Sequence, residues 1–204
     1  MENYRLPMGA LSDILTADGE NIFMRGEVFD GELNRVGGKP EMVVPGGMLD
    51  GSYFKRIPWR MASDYARMLV HDKRSVYYVR MFDSLEGLNP NVYFTPGAKG
   101  YLLFAKNTEA KKPTWAGRIP VRIRAMVVAG DRLFVAGPPD VLASDDPLGA
   151  FEGRKGGVLC VIDTQTGKKV AEHRLESPPV FNGAAAARGR LLLTLEDGSM
   201  VCFQ

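Results

Sequence analysis

Short apolar runs alternate with polar turns along most of this chain, and the clearest series lies in its last 49 residues. Five apolar runs occur there, each about five residues long, and the turns between them contain Gly, Asp or Pro. Runs of this length joined by such turns predict β-strands in an antiparallel meander. The strands predicted for this region are residues 158–162, 169–175, 184–187, 190–195 and 199–203.

The pattern of an apolar strand, a polar turn and a second apolar strand recurs four times along the chain. The second strands are predicted to begin at Ile22, Val76, Leu133 and Leu191, which lie 54, 57 and 58 residues apart. A near-constant period that contains one hairpin and one further strand pair favours four-stranded sheets repeated radially, as in the blades of a β-propeller. A β-sandwich of short strands shares most of these features, but it does not explain the period. The predicted blades form one domain and span residues 11–60, 66–118, 123–176 and 180–204.

Three further segments carry weaker signals. Residues 48–60 predict one or two more strands, around Tyr53 and Phe54 and around Trp59. Residues 59–70 have some helical spacing of apolar positions, which predicts at most one short helical turn. Residues 4–6 are a candidate for a fourth strand of the last predicted sheet, which otherwise has three.

Composition excludes several classes of protein. The 23 glycines and 13 prolines among 204 residues leave little room for long helices. The net charge is +2, from 26 basic and 24 acidic residues mixed along the chain. This distribution lacks the excess of clustered basic residues that is typical of proteins that bind nucleic acid or an anionic membrane. No apolar run reaches the roughly 18 residues of a membrane-spanning helix. The first residues also lack the basic and apolar regions of a signal peptide.

One repeat carries a family resemblance. Residues 158–168 read Val-Leu-Cys-Val-Ile-Asp-Thr-Gln-Thr-Gly-Lys. This segment resembles the repeat of pyrroloquinoline-quinone-like (PQQ-like, quinoprotein) β-propellers, in which the third strand ends in Asp and a Thr-Gly-Lys turn follows. In that repeat a tryptophan eight residues after the Asp docks between neighbouring blades. Eight residues after Asp163 stands Ala171, whereas eight residues after the corresponding Asn107 stands Trp115.

The resemblance implies an all-β fold, a PQQ-like β-propeller of about four blades. It covers the chain well from about residue 60 onward and loosely before that. Members of this family usually close a ring of seven or eight blades, so four blades imply a partial ring. We expect either that further chain completes the ring or that two copies assemble into an eight-bladed ring. A mass measurement in solution distinguishes the pair from a monomer.

The same resemblance bears on function. We expect a binding or scaffolding module that is not catalytic by itself, and whose ligand is a protein, a small molecule or a glycan. One alternative is part of a quinone-dependent oxidoreductase whose catalytic residues lie outside this chain, which would bring PQQ and Ca²⁺ as cofactors. Another alternative is a carbohydrate-binding propeller. The family also implies a periplasmic or exported location, although the first residues carry no signal for export.

The chemistry of the quinone-dependent enzymes has no counterpart that can be placed on this sequence residue by residue. Those enzymes bind PQQ and Ca²⁺ with acidic and amide side chains, and they carry a disulfide between adjacent cysteines. Here Cys160 and Cys202 occupy the same place in successive repeats, and both are predicted to be buried thiols. We therefore expect no cofactor and no metal unless the oxidoreductase alternative holds.

Two groups of charged residues are candidates for ligand binding. A long loop over residues 137–157 concentrates charge between two predicted strands, and loops on a rigid scaffold often carry function. Two arginines near a first strand of the repeat could together bind an anion, although pairing with carboxylates of the same blades is the simpler interpretation. Likewise, the loop charges are most simply paired with one another. The candidates are Arg122, Arg124, Asp145, Asp146, Glu152 and Arg154.

Overall fold

The computed structural model describes residues 16–17, 20–24, 27–37, 42–43, 59–61, 64–66, 68–80 and 101–204. The chain divides into two compact units, Met1–Arg67 and Met68–Gln204. Over the described residues every element of regular structure is a β-strand, and all the strand pairs are antiparallel. The fold is therefore all-β, as the sequence predicts. The described residues of the segment 59–70 form strands, so the helical spacing there does not produce a helix among them.

The described residues of the first unit form two three-stranded sheets. Sheet I has the order β1-β2-β3, and sheet II has the order β4-β5-β6. The predicted hairpin at Ile22 is present, since β1 pairs with β2 in an antiparallel register. The strand predicted at Trp59 is present. The part of that prediction near Tyr53 and Phe54, and the candidate strand at residues 4–6, lie outside the described residues. The strands are β1 (Thr16–Ala17), β2 (Ile22–Met24), β3 (Glu27–Phe29), β4 (Met42–Val43), β5 (Trp59–Met61) and β6 (Asp64–Ala66).

Within residues 68–80 and 101–204 the second unit forms three meanders, and each begins with a predicted hairpin. Sheet III pairs β7 to β10 in chain order, sheet IV pairs β11 to β14, and sheet V pairs β15 to β17. Sheet III has the strands Met68–His71, Ser75–Arg80, Tyr101–Asn107 and Trp115–Ile119 as β7 to β10. Sheet IV has Ala125–Ala129, Arg132–Gly137, Gly157–Asp163 and Lys169–Leu175 as β11 to β14. Sheet V has Pro179–Ala187, Arg190–Leu195 and Met200–Phe203 as β15 to β17.

The three sheets of this unit repeat along the chain with the predicted period. Their second strands begin at Ser75, Arg132 and Arg190, which are 57 and 58 residues apart. The first strand of sheet IV lies beside the first strands of both neighbouring sheets. A backbone hydrogen bond also joins β15 to the residue before β11, because the Asn182 N–H donates to the Arg124 carbonyl over 2.8 Å. The second unit is thus a partial, β-propeller-like arrangement of sheets in series.

Apolar side chains that alternate along the strands fill the space between sheets IV and V. Successive residues of a strand point to opposite faces, so one face of each strand supplies this core. Its buried members are Ala136, Leu159, Leu175, Leu191, Leu193 and Leu195.

Aspartates close several of the turns between strands. The Asp163 carboxylate accepts hydrogen bonds from the backbone N–H groups of Gln165 and Thr166 and from the Thr166 hydroxyl. Asp197 makes the same kind of contact with the backbone and hydroxyl of Ser199. Donors directed at a carboxylate favour its charged form. These bonds, led in each case by the one from a hydroxyl, lower the pKa of Asp163 and of Asp197.

Trp115 connects sheet III to sheet IV, as the family resemblance implies for a tryptophan at this place. Its indole N–H donates to the Thr164 carbonyl over 2.8 Å. A Cβ on Gly167 would lie 2.5 Å from Cδ2 of the indole, so the ring needs a glycine beneath it. Gly167 also has φ +69, a conformation that favours glycine. The Thr-Gly turn of one sheet is therefore shaped to receive the tryptophan of the sheet before it.

The two cysteines differ in burial, although both are predicted to be buried. Cys160 is buried, and burial raises the pKa of its thiol to about 11, with a smaller contribution from the nearby Glu172 carboxylate. Cys202 is exposed, so the prediction for it is wrong. Cys160 pairs with the fourth residue of β12, whereas Cys202 pairs with the third residue of β16. A shift of one residue moves a side chain to the other face of a sheet, and Val201 takes the inward place instead.

Candidate functional site

The loop between β12 and β13, residues 138–156, is held against the chain segment that leads into β11. The Arg122 N–H donates to the Pro138 carbonyl over 2.8 Å, and the Arg124 N–H donates to the Ala136 carbonyl over 2.9 Å. A Cβ on Gly137 would overlap the Arg122 carbonyl, with its carbonyl carbon only 2.7 Å away. Glycine at this position therefore allows the two backbones to approach, which brings both candidate arginines to the β12–β13 loop.

Arg122 is buried at the base of this loop. Its side chain pairs with Asp140, with Nε 3.1 Å from Oδ1, and each residue is only 7% exposed. Within the described residues neither of these two atoms has a partner with hydrogen-bond alignment, so the contact is ionic. The guanidinium carbon lies 5.2 Å from the centre of the Phe151 ring, within range of a cation–π interaction. Arg122, one of the candidate ligand-binding residues, is thus engaged in contacts that hold the loop in place.

Arg124 connects the same loop to the next sheet. Its Nη1 pairs with Glu196 in the turn between β16 and β17. Its Nη2 donates to the Phe151 carbonyl over 3.3 Å. Both arginines therefore contact Phe151, Arg122 at the ring and Arg124 at the backbone carbonyl. The loop also packs closely at Gly153, where a Cβ would lie 3.0 Å from Cγ of Pro178.

The acidic candidates are mostly engaged inside the loop. Arg154 donates twice to Asp146, from Nη2 over 2.6 Å and from Nε over 3.2 Å, and its Nη1 pairs with Glu152. The hydrogen bond from Arg154 lowers the pKa of Asp146 and raises the pKa of Arg154. Asp145 is exposed, and no described hydrogen bond or ion pair joins it to this network. Five of the six candidates therefore make ion pairs, as the simpler interpretation expects.

Two residues of this site are absent from the candidates found in the sequence. Phe151 is the aromatic residue on which both arginines converge, and Glu196 is the carboxylate that pairs with Arg124. The single aromatic residue in a polar, proline-containing loop is the signal that points to Phe151. For Glu196 the sequence offers no signal beyond its place in a Glu-Asp-Gly turn.

The described residues do not fit the Ca²⁺ that accompanies PQQ in quinone-dependent propellers. Ca²⁺ requires several oxygen ligands that converge on one point. No group of three or more His, Cys, Asp or Glu residues is suitably placed in the part of the chain that the structure describes. The carboxylates of Asp146 and Glu152, the nearest to such a cluster in sequence, are directed at Arg154 instead. No step that uses this cofactor can therefore be assigned to these residues.

The β12–β13 loop also displays apolar side chains to solvent. Among the described residues eight large hydrophobic side chains are exposed, and four of them lie in this loop. Concentrated apolar exposure is unusual for a surface without a partner, because most exposed apolar residues are scattered singly. The four are Val141, Leu142, Leu148 and Phe151, which are between 38% and 60% exposed.

Comparison with known proteins identifies no family. No protein-family model matches the chain, and no curated protein matches it. The computationally designed Ika4 protein is similar in structure, with 11% identity and a TM-score of 0.41 over 92% of this chain and 81% of that chain. The computationally designed Ika8 protein has 11% identity and a TM-score of 0.38 over 95% and 69%. Similarity at this level carries no argument about function.

Across the described part of the chain, no helix has the length and apolar character needed to cross a membrane.

Proposed function

We propose that this chain is a PQQ-like β-propeller segment that acts as a protein-binding module, and that its contact surface is the β12–β13 loop. The observation that carries the proposal is the composition of that loop. Half of the exposed large hydrophobic side chains among the described residues lie there, on a backbone fixed by ion pairs. Exposed apolar groups on a rigid scaffold are typical of sites of protein contact.

The ion pairs matter because a fixed loop loses little entropy when a partner binds. Ordering a side chain at an interface costs about 0.5–1.5 kcal/mol. Arg124 and Arg154 are partly or largely exposed, so their pairs add little to overall stability. Their effect is local, since they connect the loop to the next sheet and close it on itself. Because the loop is already held in place, little further ordering around Leu142 and Leu148 is needed when a partner binds.

Two observations support the PQQ-like assignment within this proposal. Trp115 docks into the next sheet at Thr164 and Gly167, as the family repeat implies for a tryptophan at this place. Asp163 ends the third strand of its sheet and caps the Thr-Gly turn that follows. In this proposal the scaffold is inferred from the family resemblance, and the contact surface is inferred from the loop. The two inferences are separate, because propellers of one architecture serve many functions.

Photochemical cross-linking tests the proposal. A p-benzoylphenylalanine placed at Leu142 in the full chain, irradiated in cells of the native source, is expected to give one discrete protein adduct. The same group placed at Val170, an exposed apolar position on β14, is the matched control and is expected to give none. An adduct of twice the chain mass identifies a second copy as the partner, and any other single mass identifies a different protein.

A charged substitution then checks that the apolar surface itself makes the contact. Leu148→Asp is expected to lower the yield of the Leu142 adduct by at least about tenfold, the loss typical of a residue central to an interface. Leu148 is exposed, so folding is expected to be unaffected. Equal adducts from positions 142 and 170, or a yield unchanged by Leu148→Asp, would show that the loop is not a contact surface.

A further inference from the structure

Asn182 and Gly183 form the one Asn-Gly pair in the sequence, and they lie in a bulge of β15. The antiparallel register with β16 shifts between Pro179 and Ala184, which places residues 180–183 in the bulge. Extra residues in a bulge are left outside the regular ladder of hydrogen bonds, and the strand bends there. The Asn-Gly pair therefore lies where the pairing of two strands is interrupted.

The backbone of the bulge favours these two residue types. Asn182 has φ +58, in the left-handed region that asparagine adopts more readily than most other residues with a side chain. A Cβ on Gly183 would lie 2.5 Å from Cγ2 of Val180 and 3.0 Å from the Thr194 carbonyl oxygen. A glycine at position 183 is therefore required by close packing, and an asparagine before it suits the backbone angle.

The same pair of residues is chemically labile, because a glycine after an asparagine does not shield the asparagine side chain from its own backbone. Once it loses its proton, the backbone nitrogen of Gly183 can attack Cγ of Asn182. A bond forms between this nitrogen and Cγ, the bond between Cγ and Nδ2 breaks, and the amide leaves as ammonia. Water then opens the resulting succinimide at one of its two carbonyl groups, which gives aspartate or isoaspartate. The reaction needs only water and hydroxide.

The surroundings leave the Asn182 side chain available for this reaction. Asn182 is exposed, and within the described part of the chain no hydrogen bond holds its side-chain amide. Two other asparagines are held: Nδ2 of Asn34 donates to Asp30 over 3.2 Å, and Oδ1 of Asn107 accepts from the Glu109 N–H over 3.0 Å. Each of these two is also followed by a residue with a long or branched side chain. Asn182 therefore combines an unshielded neighbour with an unheld amide.

From this arrangement we propose that Asn182 is a site of spontaneous deamidation, and that isoaspartate there opens the junction between sheets IV and V. The backbone N–H of Asn182 makes the 2.8 Å hydrogen bond to the Arg124 carbonyl that joins β15 to the residue before β11. In isoaspartate the main chain runs through Cβ and Cγ, so it gains one carbon atom at this point. The longer backbone cannot keep both this hydrogen bond and the close packing at Gly183. The reaction does not depend on whether the β12–β13 loop binds a partner.

Peptide mapping by mass spectrometry tests the reaction in the folded full chain, incubated at neutral and at mildly alkaline pH. The tryptic peptide of residues 175–188 contains Asn182 and no other asparagine or glutamine, so a mass gain there assigns the site. Asn182 is expected to deamidate at least about tenfold faster than Asn34 or Asn107. Its rate is expected to rise with hydroxide concentration, because the Gly183 nitrogen must lose a proton before it attacks. A rate no faster than that of the other two asparagines, or independent of pH, would overturn the proposal.

Hydrogen exchange tests the effect on the junction. The deamidated protein carries one more negative charge, so anion exchange separates it from unmodified protein of the same age. In its isoaspartyl form the amide of residue 182 is expected to exchange at least about tenfold faster than in the unmodified protein. Asn182→Asp adds the charge without the extra carbon atom and is expected to keep the slow rate. Asn182→Gly, which tolerates the positive φ and has no amide to lose, is expected to show no change on ageing. Equal exchange in the isoaspartyl and unmodified proteins would overturn the effect on the junction.

Discussion

Trp115→Ala is expected to lower the free energy of unfolding of the Met68–Gln204 unit by about 3 kcal/mol. Deletion of a buried aromatic ring costs about 3–5 kcal/mol, and the lower value applies because Trp115 is only partly buried. The variant also leaves the Thr164 carbonyl without its donor and leaves Gly167 with no ring above it. Urea unfolding followed by circular dichroism measures the change.

Two further variants separate the contributions of ring and hydrogen bond. Trp115→Phe keeps an aromatic ring but removes the indole N–H, and a loss of about 1 kcal/mol is expected. Val170→Ala, at an exposed position of β14, is the control and is expected to change stability by less than about 0.5 kcal/mol. If Trp115→Ala costs no more than Val170→Ala, Trp115 does not connect the two sheets.

Gly137→Ala is expected to cost about 3 kcal/mol or more and to release the β12–β13 loop. The added methyl group would overlap the carbonyl of Arg122, which is backbone and has no rotamer with which to move away. To remove this overlap, the segment around Arg122 and Arg124 must shift, and the shift breaks its hydrogen bonds to Ala136 and Pro138. Urea unfolding gives the stability, and NMR shifts of the loop amides report the displacement.

Gly117→Ala is the matched control for this substitution, since nothing lies within 4 Å of its Cβ. Replacement of glycine by alanine at an unstrained position tends to stabilise by about 0.4–1 kcal/mol, because the unfolded chain has fewer conformations to lose. A Gly137→Ala protein as stable as Gly117→Ala would contradict the close approach of the two backbones.

The strands and their period could be predicted from the sequence because both depend on local signals. Alternation of apolar and polar residues and the turn residues between them lie within a few positions of one another. The predicted second strand at Leu133 differs from β12 by one residue, since β12 begins at Arg132. The docking of Trp115 is implied by the family resemblance, which places a tryptophan eight residues after the residue that ends the third strand, although its partner Thr164 is 49 residues away.

Features that depend on register or on single distant contacts could not be predicted. Cys202 faces solvent because β17 pairs one residue out of phase with β13, and the sequence alone does not fix that register. Arg124 pairs with Glu196, which lies 72 residues later in the sequence, and no repeat pattern indicates this contact. The sequence places the loop charges in one segment, but the convergence of Arg122 and Arg124 on Phe151 depends on the folded backbone.

Hydrogen exchange at the amides of the β12–β13 loop most directly tests whether the loop has a fixed conformation before a partner binds. The N–H groups of Glu152, Gly153 and Gly156 donate to the carbonyls of Leu148, Ala150 and Gly153. In the free protein we expect them to exchange at least about tenfold more slowly than in an unstructured peptide. Arg154→Gln is expected to remove that protection, whereas Arg174→Gln, an exposed position outside the loop, leaves it unchanged. Exchange of these amides at the unstructured rate in the unaltered protein would contradict a preformed loop.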